Sequence, residues 1–329
     1  MATGGHILVG DIGGTNSRLA VTACDRFKLT NIRLFEARDF PDFEALLAAY
    51  LREERISDLK GTCLAPAGPI EDGTFKLTNN HWPKSSKASI RMTLGVEHVH
   101  LINDFEAVAH AIAHLPASEL VPVGNGVVRP GRPVMAIGPG TGLGMAYIVR
   151  TPEGRPIVQT AEPGPGSLPI QTARELAVAS KVRGENARIF NEALVSGSGL
   201  LAIYRAIAAL DGAPAPLTGP AQVTQAALDG SDPVAVAALD QFLVWFGRIT
   251  GDLALYLRAE GGVYLGGGIP PKILPRLLNG PFRAAFDDKM PLQRLAKAIA
   301  VFVITTDMPA LTGCAGAFAE AYPDLLTMA

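Results

Sequence analysis

The sequence predicts an α/β protein of two domains. Short apolar runs alternate with amphipathic stretches through much of the chain, the pattern of strands joined by helices with many parallel connections. A strand–glycine turn–strand unit near the N-terminus is echoed in mid-chain. The 329 residues, 48 % hydrophobic and 18 % charged, suffice for two cores at about 150 residues each.

The first unit is His6 to Val21, where an apolar run ends in Gly10-Asp11-Ile12-Gly13-Gly14-Thr15 and a half-apolar run follows. Such a turn can be a plain β-hairpin, or its successive N–H groups can form a concavity that holds a phosphate. Asp11 beside a phosphate would repel it unless a cation lay between, which suggests Mg²⁺. Pro41 to Arg55 carries Phe43, Leu46, Leu47 and Leu51 at helical spacing. Gly61 to Pro69 reads as a strand, Lys76 to Pro83 as a loop, Ile90 to Gly95 as a helix end, His98 to Ile102 as a strand and Ala107 to Leu115 as a helix. The domain boundary is expected within 107–133.

Val134 to Val149 repeats the opening plan around Gly138-Pro139-Gly140-Thr141-Gly142, with Gly140-Thr141 set over Gly14-Thr15. Glu162 to Gly166 is a rigid Pro/Gly loop. Helices are expected over Glu185 to Val195 and Leu200 to Leu210, and a long helical stretch over Val234 to Arg258, broken by Gly247 and Gly251. Gly262 to Leu265 is a strand ending in Gly266-Gly267-Gly268, and Ala300 to Thr305 is the last strand. The helix Ala310 to Tyr322 is expected to fold back on the first half.

With 29 basic and 31 acidic residues the chain has no electrostatic reason to bind nucleic acid or an anionic membrane. Cys24, Cys63 and Cys314 show no ligand spacing and point to a reducing compartment. Met1 to Val9 has no signal-peptide pattern, and no uncharged apolar run approaches about 18 residues. A soluble cytoplasmic protein is expected.

Three glycine turns, each after a strand, point to a nucleotide. The spacing fits neither the P-loop nor the dinucleotide fingerprint. Asn103-Asp104 follows a strand, where ligands bind in α/β sheets. Two readings of Asp104 stand: a carboxylate that takes a hydroxyl proton in phosphoryl transfer, or a helix cap. Glu162 and Glu192 suit sugar hydroxyls, and each alone also suits a solvated surface. The histidines form no metal-like set, and Ser196-Gly197-Ser198-Gly199 lacks the strand that a nucleophile elbow needs.

These motifs, together with Leu77-Thr78-Asn79 and Trp82, Ile102-Asn103-Asp104-Phe105, Ser196 to Leu200 with Tyr204-Arg205-Ala206, Gly262 to Ile269 and Phe282 to Phe286, run nearly the whole length. The chain resembles the bacterial glucokinases of the non-zinc type. The resemblance implies a two-domain actin-like ATPase (ribonuclease H-like) fold with a cleft between a small domain, 1–110 plus 308–329, and a large one, 111–307. It implies ATP-dependent phosphorylation of glucose at its 6-hydroxyl, with Asp104 as general base and Asn79, Asn103, Asp104, Glu162 and Glu192 on the sugar. Gly10, Asp11, Ile12, Gly13, Gly14 and Thr15 would hold the β- and γ-phosphates, with Asp11 reaching Mg²⁺ through water. Gly138, Gly140, Thr141 and Gly142 would hold the phosphates from the other side, and Gly266 and Gly267 would lie by the adenosine. It further implies a homodimer.

One position departs from the family. Its pattern after the first sugar-binding glutamate is Gly-Gly-His, and here Pro163-Gly164-Pro165 follows Glu162. Proline offers no side-chain hydrogen bond, so a kinase for another hexose or an amino sugar is an alternative. A nucleotide-binding regulator without turnover is a further one.

Overall fold

The structure, a computed structural model, describes residues 6–23, 28–77, 80–183 and 188–325. Thr78, Asn79, Cys24 and the expected helix start at Glu185 lie outside these. The chain divides into two compact units, Met1–Pro116 with Thr306–Ala329, and Ala117–Thr305.

In the first unit β1 (His6–Ile12), β2 (Asn16–Ala23) and β3 (Leu29–Glu36) run as an antiparallel meander. After helix α1 (Phe43–Glu54), strand β4 (Leu59–Pro66) joins β1 in parallel. A small sheet of β5 (Ile70–Glu71), β6 (Thr74–Phe75) and β7 (Ser85–Ser86) leads to α2 (Lys87–Leu94). Strand β8 (His98–Leu101) adds in parallel to β4, and α3 (Asp104–Ala111) follows. The sheet order is β3-β2-β1-β4-β8.

Both faces of this sheet are covered, so β1 is apolar on both sides rather than alternating with polar residues. Leu8 and Ile12 join Phe43, Leu46, Leu47, Tyr50 and Ile90 in one core. Ile7 and Val9 face the other, which is filled by Leu311, Cys314, Ala315 and Phe318 of the C-terminal helix Pro309–Ala321. That helix lies close against α3. A Cβ on Gly313 would stand 1.7 Å from the Ala107 carbonyl oxygen, so only glycine allows this approach.

In the second unit, β9 (Leu120–Pro122) precedes the meander β10 (Val134–Pro139), β11 (Leu143–Arg150) and β12 (Pro156–Ala161). Helices α4 (Ala173–Arg183), α5 (Asn191–Leu194), α6 (Gly197–Asp211), α7 (Pro220–Asp229) and α8 (Pro233–Leu257) follow. Then come β13 (Val263–Leu265), α9 (Leu274–Asn279), α10 (Phe282–Asp287), α11 (Gln293–Ala298) and β14 (Val301–Ile304). The order is β12-β11-β10-β13-β14-β9, with β10, β13 and β14 parallel. Apart from the edge strand β9, this is the arrangement of the first unit: a three-stranded meander, then two parallel strands. The echo between the two glycine turns is therefore a repeat of architecture.

Two expected elements differ. The helix expected from Glu185 to Val195 is, in its described part, only Asn191–Leu194, because Phe190 is extended and bridges to Ser167. The stretch expected to break at Gly247 and Gly251 is the unbroken helix α8. Its glycines make room for α10 instead: a Cβ on Gly247 would stand 2.4 Å from the Phe282 carbonyl oxygen, and one on Gly251 2.6 Å from that of Phe286. By length and composition α8 could cross a bilayer; here Phe242, Trp245 and Phe246 bury it in the core with α6 and α10.

Candidate functional site

The β1–β2 turn closes by a Gly13 N–H donating to the Asn16 carbonyl at 3.0 Å. Three of the turn's carbonyls, those of Ile12, Gly14 and Thr15, are occupied from outside it. Ala67 N–H donates to Ile12 at 2.8 Å, Ala37 N–H to Thr15 at 2.8 Å, and the Asn80 side-chain amide to Gly14 at 2.9 Å. Among the described residues the N–H groups of Gly14 and Thr15 donate to nothing. A turn with open backbone N–H donors and most of its carbonyls tied elsewhere is a concavity suited to an anion. Gly13 is required for closure itself, since its Cβ would stand 2.8 Å from the Asn16 carbonyl oxygen. Gly10 is required by packing, where a Cβ would meet Leu64 and Leu19 at 2.7 and 2.8 Å.

Asp11 lies opposite Arg18 in the β1–β2 register, and Arg18 Nη1 approaches its carboxylate at 3.4 Å. Burial pushes the Asp11 carboxyl up, opposed by Arg18, although 27 % of its side chain remains accessible. No cluster of three or more metal-ligating side chains occurs among the described residues. One partly desolvated carboxylate fits Mg²⁺, which keeps most of its water and binds with substrate phosphates rather than in an all-protein cage.

Sequence reasoning did not single out Asn80. It donates to Gly14 and accepts from the Trp82 N–H at 2.7 Å, and so ties the segment after Leu77 to the phosphate turn. Sixty-six positions separate Asn80 from Gly14, and no local pattern signals such a bond.

Asp104 is the first residue of α3. The cap is Asn103, whose side chain accepts from Phe105 N–H at 2.9 Å, while Glu106 accepts from Asn103 N–H at 3.2 Å. Asp104 therefore does not fill the cap position. Its carboxylate is half-buried at the helix N-terminus, and it accepts from Phe105 N–H at 2.9 Å.

In the second unit the β10–β11 turn has the same character. Gly140 N–H donates to Gly142 at 2.8 Å, and Gly197 N–H, at the start of α6, donates to Gly140 at 2.9 Å. Among the described residues Thr141 and Gly142 N–H groups donate to nothing, and a Cβ on Gly140 would meet open space. Gly138 and Gly267 have packing reasons of their own. A Cβ on Gly138 would stand 1.9 Å from the Gly266 carbonyl oxygen, and Gly267 has φ +82° beside the Pro139 carbonyl. Gly266 N–H donates to Ile137 at 3.0 Å, which joins the two turns.

Glu192 stands behind this turn. Its carboxylate accepts from Leu143 N–H at 3.4 Å. The Pro163–Gly166 turn is locked against α5 by Asn191, whose side-chain amide donates to Pro163 at 2.9 Å and whose N–H donates to Gly166 at 2.8 Å. Glu192 N–H donates to Gly164 at 3.2 Å. A hollow of about 200 Å³ is lined by Pro165, Arg188, Phe190 and Glu192. Glu162 is exposed in the same loop and does not line it.

The glucokinase family model matches residues 8–321. The chain is 38 % identical over 323 residues to a glucokinase of Pseudomonas paraeruginosa, covering 97 % of this chain and 94 % of that protein. Its fold matches a solved glucokinase from an Antarctic psychrotroph with TM-score 0.84 and 33 % identity, over 96 % of this chain and 99 % of the other. A ROK family glucokinase from Streptomyces griseus, solved with glucose and AMPPNP, matches with TM-score 0.62 at 20 % identity, over 94 % and 98 % of the two chains.

Proposed function

The chain belongs to the glucokinase family and has the actin-like ATPase fold, and from that premise we propose that it transfers the γ-phosphoryl group of ATP to the 6-hydroxyl of glucose. The observation that carries this reading is the repeated hairpin turn with open backbone N–H donors. Gly14 and Thr15 in one unit, Thr141 and Gly142 in the other, offer backbone N–H groups to a polyphosphate. Asp11 would reach a phosphate-bound Mg²⁺ through water, and the ion would supply charge neutralisation at the transferred group.

Asp104 is the base in this proposal. Beside the Asn103 cap, its carboxylate orients the hydroxyl and takes its proton. Glu192 accepts hydrogen bonds from sugar hydroxyls, Glu162 and Asn79 complete the sugar contacts, and Asn103 donates through its amide. Gly266 and Gly267 pass the adenosine. The expected working form is a cytoplasmic homodimer.

A coupled assay with glucose and Mg-ATP tests the proposal. Asp104→Asn is expected to lower kcat by about 10²- to 10⁴-fold, the range for removing a general base, while calorimetry still registers glucose. Turnover within a few-fold of wild type would reject the assignment. Pro165 favours one second reading, a kinase for another hexose or an amino sugar. A panel of such sugars decides it, and a strong preference for glucose removes it.

A further inference from the structure

Pro165 contributes no side-chain donor to the hollow beside Glu192, yet a donor stands there. The Arg188 guanidinium donates to the Pro165 backbone carbonyl and lines the same hollow. A guanidinium carries five N–H donors in a fixed planar fork, so anchoring one of them leaves the rest oriented. Among the described residues no carboxylate lies within ion-pair distance of Arg188, and Glu192 is held only by the long bond from Leu143 N–H. The hollow is thus lined by a cation and an anion that form no ion pair with each other, together with Phe190 and Pro165.

We infer that Arg188 is a sugar-binding, specificity-determining residue, donating to the ring hydroxyl next to the one that donates to Glu192. This rests on the sugar-kinase reading above and names the chemistry of that site. Arg188 and Glu192 give the hollow no net charge although they are not paired, which suits a neutral polyol better than an acid. Adjacent hydroxyls satisfy both, one accepting from the guanidinium and one donating to the carboxylate. The apolar surface of Phe190 and Pro165 takes the C–H face of the ring. The hollow is small, about 200 Å³, below the roughly 300 to 1,000 Å³ of drug-sized pockets, and so suits a small ligand.

The experiment compares wild type with Arg188→Ala and Arg188→Met across glucose and its 1-deoxy, 2-deoxy and 3-deoxy analogues. Arg188 is exposed, so both variants are expected to fold, and their melting curves check this. For glucose, KM is expected to rise about 10- to 100-fold, the span for a lost charged hydrogen bond. For one deoxy sugar, wild type already binds weakly and the substitutions change KM less than about twofold. That selective insensitivity is something a structural role for Arg188 would not produce. Equal losses for every sugar, or a glucose KM within about twofold of wild type, overturn the inference. So does inhibition by a hexonate that exceeds glucose binding in wild type and vanishes in the variants, because the residue would then be an acid receptor. If wild type phosphorylates no sugar, the kinase reading falls as well. If wild type works and Arg188→Ala works equally, only this inference falls.

Discussion

Gly164 decides how closely a backbone turn can pass a carboxylate. A Cβ there would stand 2.2 Å from Glu192 Oε2. The obstructing atom is the end of a flexible side chain, so Gly164→Ala is expected to displace Glu192 rather than disrupt the fold. Its kcat/KM for sugar should fall at least about tenfold while its melting temperature stays close to wild type. A variant that melts early, or one that keeps full activity, would show that Glu192 is not held where sugar binding requires it. Tenfold is about 1.4 kcal/mol, a modest demand on one misplaced hydrogen bond. Glu192 was visible in the sequence as an acid suited to hydroxyls. Arg188 was not, because what marks it is a backbone carbonyl more than twenty positions away.

The element that carries Asp104 is set by its neighbour. Helix α3 rests on the C-terminal helix at Gly313, whose Cβ would overlap the Ala107 carbonyl oxygen at 1.7 Å. Here the obstruction is backbone and cannot step aside. Gly313→Ala is therefore expected to destabilise the protein by about 1–3 kcal/mol, the usual cost of overpacking, measurable by urea unfolding. It should also lower kcat, since α3 must shift. Unchanged stability would mean that the two helices do not meet at that point.

Which elements were legible in the sequence follows from how local their causes are. The hairpins around Gly13 and Gly140 were readable because the glycines and the apolar runs lie within a few residues of each other. Helix α8 was misread as broken because glycine lowers helix propensity, whereas Gly247 and Gly251 answer to α10, some thirty-five residues on. Helix α4 was missed: its buried residues are Glu175, Val178 and Ala179, and the acid hides the apolar stripe. Glu175 is buried because Arg248 donates to it at 2.7 Å, a partner from α8. The helix expected to start at Glu185 was overestimated because Asn191 clamps the distant Pro163–Gly166 turn.

For the whole molecule, acid stability should depend on His100. Burial lowers its pKa from 6.5 to about 4, and the nearby Lys87 and His110 add to this. Its ring also stands 6.2 Å from Tyr322. The folded protein keeps the imidazole neutral, while the unfolded chain binds a proton below about pH 6.5. Unfolded protein thus holds more protons between pH 6.5 and 4, so stability rises with pH there and is lost on acidification. His100→Phe should flatten that part of the unfolding free energy against pH. A variant with the same pH slope as wild type would assign the acid sensitivity elsewhere.

The packing of the C-terminal helix also fixes an order of events at the ribosome. One face of the first sheet is covered by Leu311, Cys314 and Phe318, which are translated after the whole of the second unit. Domains usually fold as they emerge, N-terminal first. In this chain Ile7 and Val9 lack the cover of Leu311, Cys314 and Phe318 until the last helix leaves the exit tunnel. The later-made unit can therefore be finished first, while that face of the nascent N-terminal sheet stays partly open, a surface of the kind that makes folding intermediates prone to aggregate.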